Sequence, residues 1–178
     1  NEGWGQYGER KMIDWTKQYD PSRLAEVSGS VDMGNGDVSD IHRYPAPNRM
    51  EKAGQGRAFA VGEFGGLGLP VEGHLWNPEM RNWGYATYTD RNVFVDAYKH
   101  LVFHLGTMIP EGLSAAIYTQ TTDVVGEVNG MLTYDRAVAK IPAAELAAIH
   151  APLYASPAPL RTVMPDSAVE PQQWYYTT

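Results

Sequence analysis

The stretch Arg57-Ala58-Phe59-Ala60-Val61-Gly62-Glu63-Phe64-Gly65-Gly66 decides how the rest of the chain is read. It is short, apolar up to Val61 and closed by glycine, the pattern of a buried parallel strand. Glu63 falls where the apolar run breaks, which puts a carboxylate at the mouth of that strand. A second one, Glu2, sits in Asn1-Glu2-Gly3-Trp4, again beside glycine and an aromatic ring. A lone glutamate next to glycine is by default a solvated loop carboxylate. Two of them, each with aromatic neighbours, are the minimum equipment for retaining glycoside hydrolysis. A natural chain is not expected to start on its own catalytic strand, so the sequence reads as a fragment.

Composition bounds the alternatives. With 178 residues, 43% hydrophobic and 20% charged, the chain suits one ordinary domain with a sizeable core. A formal net charge of −7 and no basic cluster beyond Arg10-Lys11 argue against nucleic acid, which requires a basic footprint. A neutral polar ligand such as a sugar meets no such objection. The absence of cysteine removes disulfides, thiolate metal sites and a cysteine nucleophile, and leaves the compartment open. No apolar run reaches the length of a membrane span, so no membrane partner is expected. No signal peptide is visible, which says nothing if the first residue is not the natural start.

Read along the chain, residues 7–19 form a helix with Met12, Trp15 and Tyr19 on one face, ended by Asp20-Pro21. Residues 24–28 and 38–44 are strand candidates separated by a glycine-rich loop, and a helical turn over 49–53 is expected to follow. After the strand ending at Glu63, a long loop over 65–89 carries Trp76 and Trp83; loops of that length inside a compact domain are usually functional. Asp90 caps the strongest helix, with Val93, Ala97, Leu101 and Leu105 as its stripe beside Phe94 and Tyr98. A strand over 112–120 and a short helix over 142–150 with proline at its first turn complete the order. Alternation of strand and helix argues for parallel βα units. Residues 1–150 form this domain, and 151–178 read as a proline-rich linker leading to the start of a further β-rich domain.

These residues resemble the catalytic domain of glycoside hydrolase family 2, the β-galactosidase, β-mannosidase and β-glucuronidase family, over most of the chain. Asn1-Glu2 resembles the Asn-Glu pair that ends the fourth barrel strand, and Gly62-Glu63-Phe64-Gly65 the motif that ends the seventh. Asp40-Ile41-His42-Arg43-Tyr44 is similar to the sixth strand and Ala115 to Asp123 to the eighth. The resemblance implies an α/β fold: a partial (β/α)8 TIM barrel, strands four to eight with their helices, truncated at the N-terminus. It also implies that preceding β-sandwich domains are missing. A periplasmic or secreted parent enzyme fits that picture, although the sequence itself leaves localisation unknown.

For the chemistry, the resemblance implies Glu2 as general acid/base and Glu63 as nucleophile of a retaining β-glycosidase acting on terminal bonds of an oligosaccharide or glycoside. The two carboxyls must then lie about 5–5.5 Å apart. Asn1 is the expected donor to the sugar 2-hydroxyl, His42 a ligand of the glycone and Tyr44 a donor to Glu63; a strand-end His or Tyr otherwise simply packs. Trp76, like Trp83, either presents a face to a pyranose ring or anchors its loop. Tyr118 stands where many family members place a sugar-stacking Trp. His100 and His104 have a zinc-like spacing but lack the acidic ligands, so packing is the better reading, and no metal or cofactor is required. Asp123 and Glu127 read as turn caps rather than as the rim of the pocket. The competing reading is a non-catalytic carbohydrate-binding or structural piece, inactive as isolated, with exposed sheet edges that invite self-association.

Overall fold

The computed structural model describes residues 5, 7–29, 34–47 and 56–155. The expectations placed on Asn1, Glu2, the turn over 49–53 and the tail 156–178 lie outside the described residues. Within them the chain is an α/β unit with three α-helices and a small parallel sheet. The helices are α1 (Glu9–Tyr19), α2 (Arg91–Met108) and α3 (Ala143–His150). The strands are β1 (Val38–Arg43), β2 (Ala58–Gly65), β3 (Leu67–Gly68), β4 (Ala86–Thr87) and β5 (Leu113–Thr119).

The main sheet has the order β1-β2-β5, all parallel, with β2 in the centre. Its strands follow one another in chain order, and no closed barrel is formed among the described residues. Central β2 is the most deeply buried, Phe59, Ala60 and Val61 being 3% exposed or less. That fits its unbroken apolar run. The expected strand over 24–28 is reduced to one parallel bridge, Glu26 to Val38. The reason is local competition for the backbone. The Asp37 carboxylate accepts the Ala25 N–H at 2.9 Å, and the Asp37 N–H donates to the Ala25 carbonyl at 2.7 Å, so the segment is held by a side chain rather than a ladder.

Helix α2 covers the sheet. Phe94, Tyr98, Leu101, Leu105 and Met108 are buried with Val95 and Val102, packed with Ile41, Phe59, Val61 and Phe64 in one cluster. Leu101 and Leu105 of the expected stripe are buried, as are Phe94 and Tyr98 beside it, whereas its first member, Val93, is 54% exposed. Residues 151–154, read from sequence as the start of the linker, instead continue α3 as a 3-10 turn, and Leu153 packs on the core. The Tyr98 hydroxyl meets His150 Nε2 at 2.6 Å and ties α3 to α2; burial pushes the phenol up to about 12 and the imidazole down.

Helix α1 is different. It has no buried residue, and its Met12-Trp15-Tyr19 face is open among the described residues, with Trp15 stacked on Tyr19. Lys17 anchors it to Asp37 at 2.9 Å and to the Arg23 carbonyl at 2.8 Å. Beside β5, a groove of about 560 Å³ runs between that strand and the α2–α3 layer, and Ile117 on β5 is 51% exposed.

Asp90 closes the N-terminus of α2 by accepting from the N–H groups of Asn92 at 2.7 Å and Val93 at 3.0 Å. Asp90→Ala should therefore cost about 0.5–2 kcal/mol in urea unfolding, while Asp96→Ala on the exposed flank of α2 should leave the midpoint within error.

Candidate active site

The site lies at the C-terminal ends of the parallel strands, where ligands of open α/β sheets gather. It is created by a bulge. Ile41 pairs with Val61 and His42 with Glu63, so β2 carries one residue, Gly62, that β1 does not match. Against β5 the same surplus appears, three steps from Val61 to Phe64 facing two from Ala116 to Tyr118. An extra residue bends a strand and re-aims the side chain beside it. Here that side chain is Glu63, with 31% of its side-chain surface exposed.

The Tyr44 hydroxyl and the His42 ring, both from the β1 end, converge on one oxygen of that carboxylate. The Tyr44 hydroxyl donates to Glu63 Oε2 at 2.5 Å, and His42 Nδ1 lies 3.3 Å from the same atom. The other ring nitrogen, Nε2, faces Asp40 Oδ2 at 3.2 Å and Ser28 Oγ at 3.4 Å. Burial, then the hydrogen bond to Glu63, lifts the Tyr44 phenol far above its ordinary range, with the Thr119 side chain opposing as a donor. Tyr44 is thus a proton donor at any working pH and does not become a second anion beside Glu63.

An aromatic wall continues from Tyr44. Its ring stacks on Tyr85 at 3.7 Å between centroids and 4° between planes, and Trp83 meets Tyr85 edge-on at 5.7 Å. Gly66, at φ +61°, permits this stack: a Cβ there would collide with Tyr85 and press on Tyr44. Tyr85 is 52% exposed. Sequence reasoning missed it because it lies 22 residues past Glu63 in a segment read as an open loop (85 − 63). That loop is in fact pinned at its root. β3 and β4 pair in parallel, the Tyr85 N–H donates to the Gly66 carbonyl at 2.8 Å, and the Tyr88 N–H to Gly68 at 2.8 Å.

The outer part of the loop forms a second cluster. His74 Nδ1 lies 2.8 Å from Asp135 Oδ2, and the Trp76 ring meets Tyr134 edge-on at 5.6 Å. Trp76 is 61% exposed, and its ring contact is with Tyr134 rather than with the Glu63 group. The structure therefore brings together His42, Tyr44 and Glu63 of the expected set and sets Trp76 on a separate rim.

Tyr118 is placed elsewhere again. It pairs with Phe64, the neighbour of Glu63 that alternation sends to the opposite face. Its ring packs edge-on against Phe64 at 5.6 Å and Tyr98 of α2 at 5.3 Å, and its hydroxyl is engaged by the Leu67 backbone. Burial raises its phenol well above the ordinary range. Tyr118 thus helps join β5 to the helix layer and is not brought beside Glu63.

Beyond β5 a buried polar loop supports the rim. Lys140, fully buried, donates to Asp123 Oδ1 at 2.7 Å and to the Val128 carbonyl at 2.9 Å, while Asp123 also accepts the Gly130 N–H at 2.7 Å. Burial pushes the Asp123 carboxyl up and the Lys140 amine down, each opposed by the charge of the other. Glu127 accepts from Asn129 at 2.9 Å, and Asn129 in turn accepts from Gln120. Asp123 thus closes the loop's own backbone, in line with the turn-capping expectation, while Glu127 bonds the Asn129 side chain. His100 bonds the Asp96 carbonyl on the exposed side of α2, and among the described residues no group of three or more acidic, His or Cys side chains could hold a metal. Among those residues, too, no helix is long and apolar enough to cross a membrane.

No family model matches the sequence, and no curated protein matches it.

Asp135 is held down at about 2 by the Thr133 hydroxyl first, then His74 and the Ala137 N–H. A carboxyl depressed in the fold contributes stability that is complete above its unfolded value and is lost as pH falls through the folded one. Asp135→Asn should therefore flatten the acid-unfolding curve between about pH 4 and pH 2, followed by tyrosine and tryptophan fluorescence, and leave stability near pH 7 lower than in the parent.

Proposed function

We propose that the chain is part of the (β/α)8 catalytic barrel of a retaining β-glycosidase, with Glu63 as nucleophile and Glu2 as acid/base. The observation that carries this reading is the convergence of Tyr44 and His42 on Glu63 Oε2 at the C-terminal ends of parallel strands. A surface carboxylate needs no such pair of partners. A nucleophile does, because it must stay ionised and fixed in direction while it attacks. The chain-ordered strands β1-β2-β5 suit consecutive members of a barrel, the sixth, seventh and eighth in the family-2 count.

In this reading Glu63 attacks the anomeric carbon of a terminal sugar as the glycosidic oxygen leaves with a proton from Glu2. The glycosyl ester on Glu63 is then opened by a water that Glu2 deprotonates, which restores both carboxyls and retains the anomeric configuration. Tyr44 and His42 hold the carboxylate before attack and receive it again on release. Tyr85 and Trp83 offer apolar ring faces beside it, the surface a pyranose stacks on. The substrate class is a terminal β-glycoside, and a neutral glycone meets no electrostatic objection from the acidic chain.

A 2-fluoro-glycoside slows the second step and leaves the sugar on the nucleophile. In the protein expressed from its complete reading frame, peptide mass mapping should place the label on Glu63 with one of the galactose, mannose or glucuronate probes. Glu63→Gln should take no label. Tyr44→Phe should still label but lower kcat about 10- to 100-fold, the worth of a hydrogen bond to a charged group. Label on another residue, or none with any probe, rejects the assignment.

A further inference from the structure

Asp40 is a buried carboxylate that the proposed chemistry does not use. Its side chain is fully shielded from solvent. Such a group is retained only where each lone pair is engaged, since an unpaired buried charge is costly. Asp40 Oδ1 accepts the N–H of Gly62 at 2.6 Å; Oδ2 accepts the N–H of Gly29 at 3.2 Å and faces His42 Nε2 at 3.2 Å. Gly62 is the surplus residue of β2 and has no register partner on either neighbouring strand. A Cβ at position 62 would collide with the Asp40 carboxylate, so the glycine and the acid fit only each other.

Both contacts lead to Glu63. One fixes the peptide immediately before it. The other fixes the imidazole whose Nδ1 lies 3.3 Å from its carboxylate. Which nitrogen of a histidine carries a proton is set by the partner of the other. With Asp40 accepting at Nε2, His42 is locked in one ring orientation, aimed at Glu63. We infer that Asp40 is a positioning residue for Glu63, holding it through the Gly62 backbone and through the His42 ring. The inference rests on the reading of Glu63 as nucleophile and adds to it a residue that never touches substrate. Of the groups around the ring, Ser28 Oγ shares Nε2 at 3.4 Å and Glu26 interacts with it through charge, so neither replaces the Asp40 contact.

Asp40→Asn keeps an oxygen for Gly62 and removes the acceptor that orients His42. In the protein from the complete reading frame, with Glu63 labelling established first, this variant should lower kcat about 10- to 100-fold, the scale of a reacting group displaced by about 1 Å, and change KM less than about threefold. Placed on His42→Gln, the same change should cost less than about threefold, because two residues acting through one contact are not additive. A kcat equal to that of the parent, or losses that multiply in the double variant, overturns the inference. Should Asp40→Asn fail to fold, the unmodified protein decides: with 15N-labelled histidine, NMR should find His42 Nε2 protonated, and an unprotonated Nε2 refutes the role. Absence of label on Glu63 in the parent protein is a separate failure, that of the nucleophile reading itself.

Discussion

Gly62 adds to β2 one residue that neither flanking strand matches, and this surplus governs where the functional groups point. In an unbroken strand, side chains alternate strictly between faces. A surplus residue suspends the alternation for one step, at the cost of a peptide group without a ladder partner. The carboxylate of Asp40, in the interior of β1, takes that N–H at 2.6 Å. Backbone irregularity and buried charge are each unfavourable alone; here each supplies what the other lacks. Glu63 then meets His42 in register, while Phe64 stays in the hydrophobic layer beneath α2.

Much of the framework is legible from periodicity. The apolar run before Glu63, the Asp90 cap and the strand after Gly112 all specify themselves through local chemistry, and each is present within about two residues of its expected bounds. Where long-range contacts decide, sequence says less. On α2 Phe94 is fully buried, while Val93, the expected first member of the stripe, is left out of the core. The segment over 24–28 has strand composition, yet Asp37 satisfies its backbone with a side chain. Tyr118 occupies an expected position in the order of motifs, but its facing depends on a register shift that no periodicity reveals.

The site was legible in part for the same reason. His42, Tyr44 and Glu63 lie at strand ends, and strand ends can be read. Asp40 looks like an ordinary acid in a short strand until the surplus glycine of β2 proves to donate its N–H to it. Tyr85 belongs to a loop that folds back through a two-residue parallel pairing, too short to leave a pattern. The polar loop after β5 contains Asp123 and Lys140 separated by 17 positions, and only the fold makes them a buried pair.

The long segment after Glu63 is fastened at its root on two sides. Beside the Gly66 and Gly68 contacts, the Trp83 N–H donates to the Gly126 carbonyl and the Val128 N–H to the Trp83 carbonyl, at 2.8 and 2.7 Å. The stretch from Val71 to Arg81, which bears Trp76, leaves and re-enters above this clasp. Its length and composition can therefore drift without disturbing the ring pair beside Glu63. Such an arrangement separates two evolutionary problems. The outer arc can be rewritten by insertion or deletion, while the geometry around Glu63 is inherited unchanged.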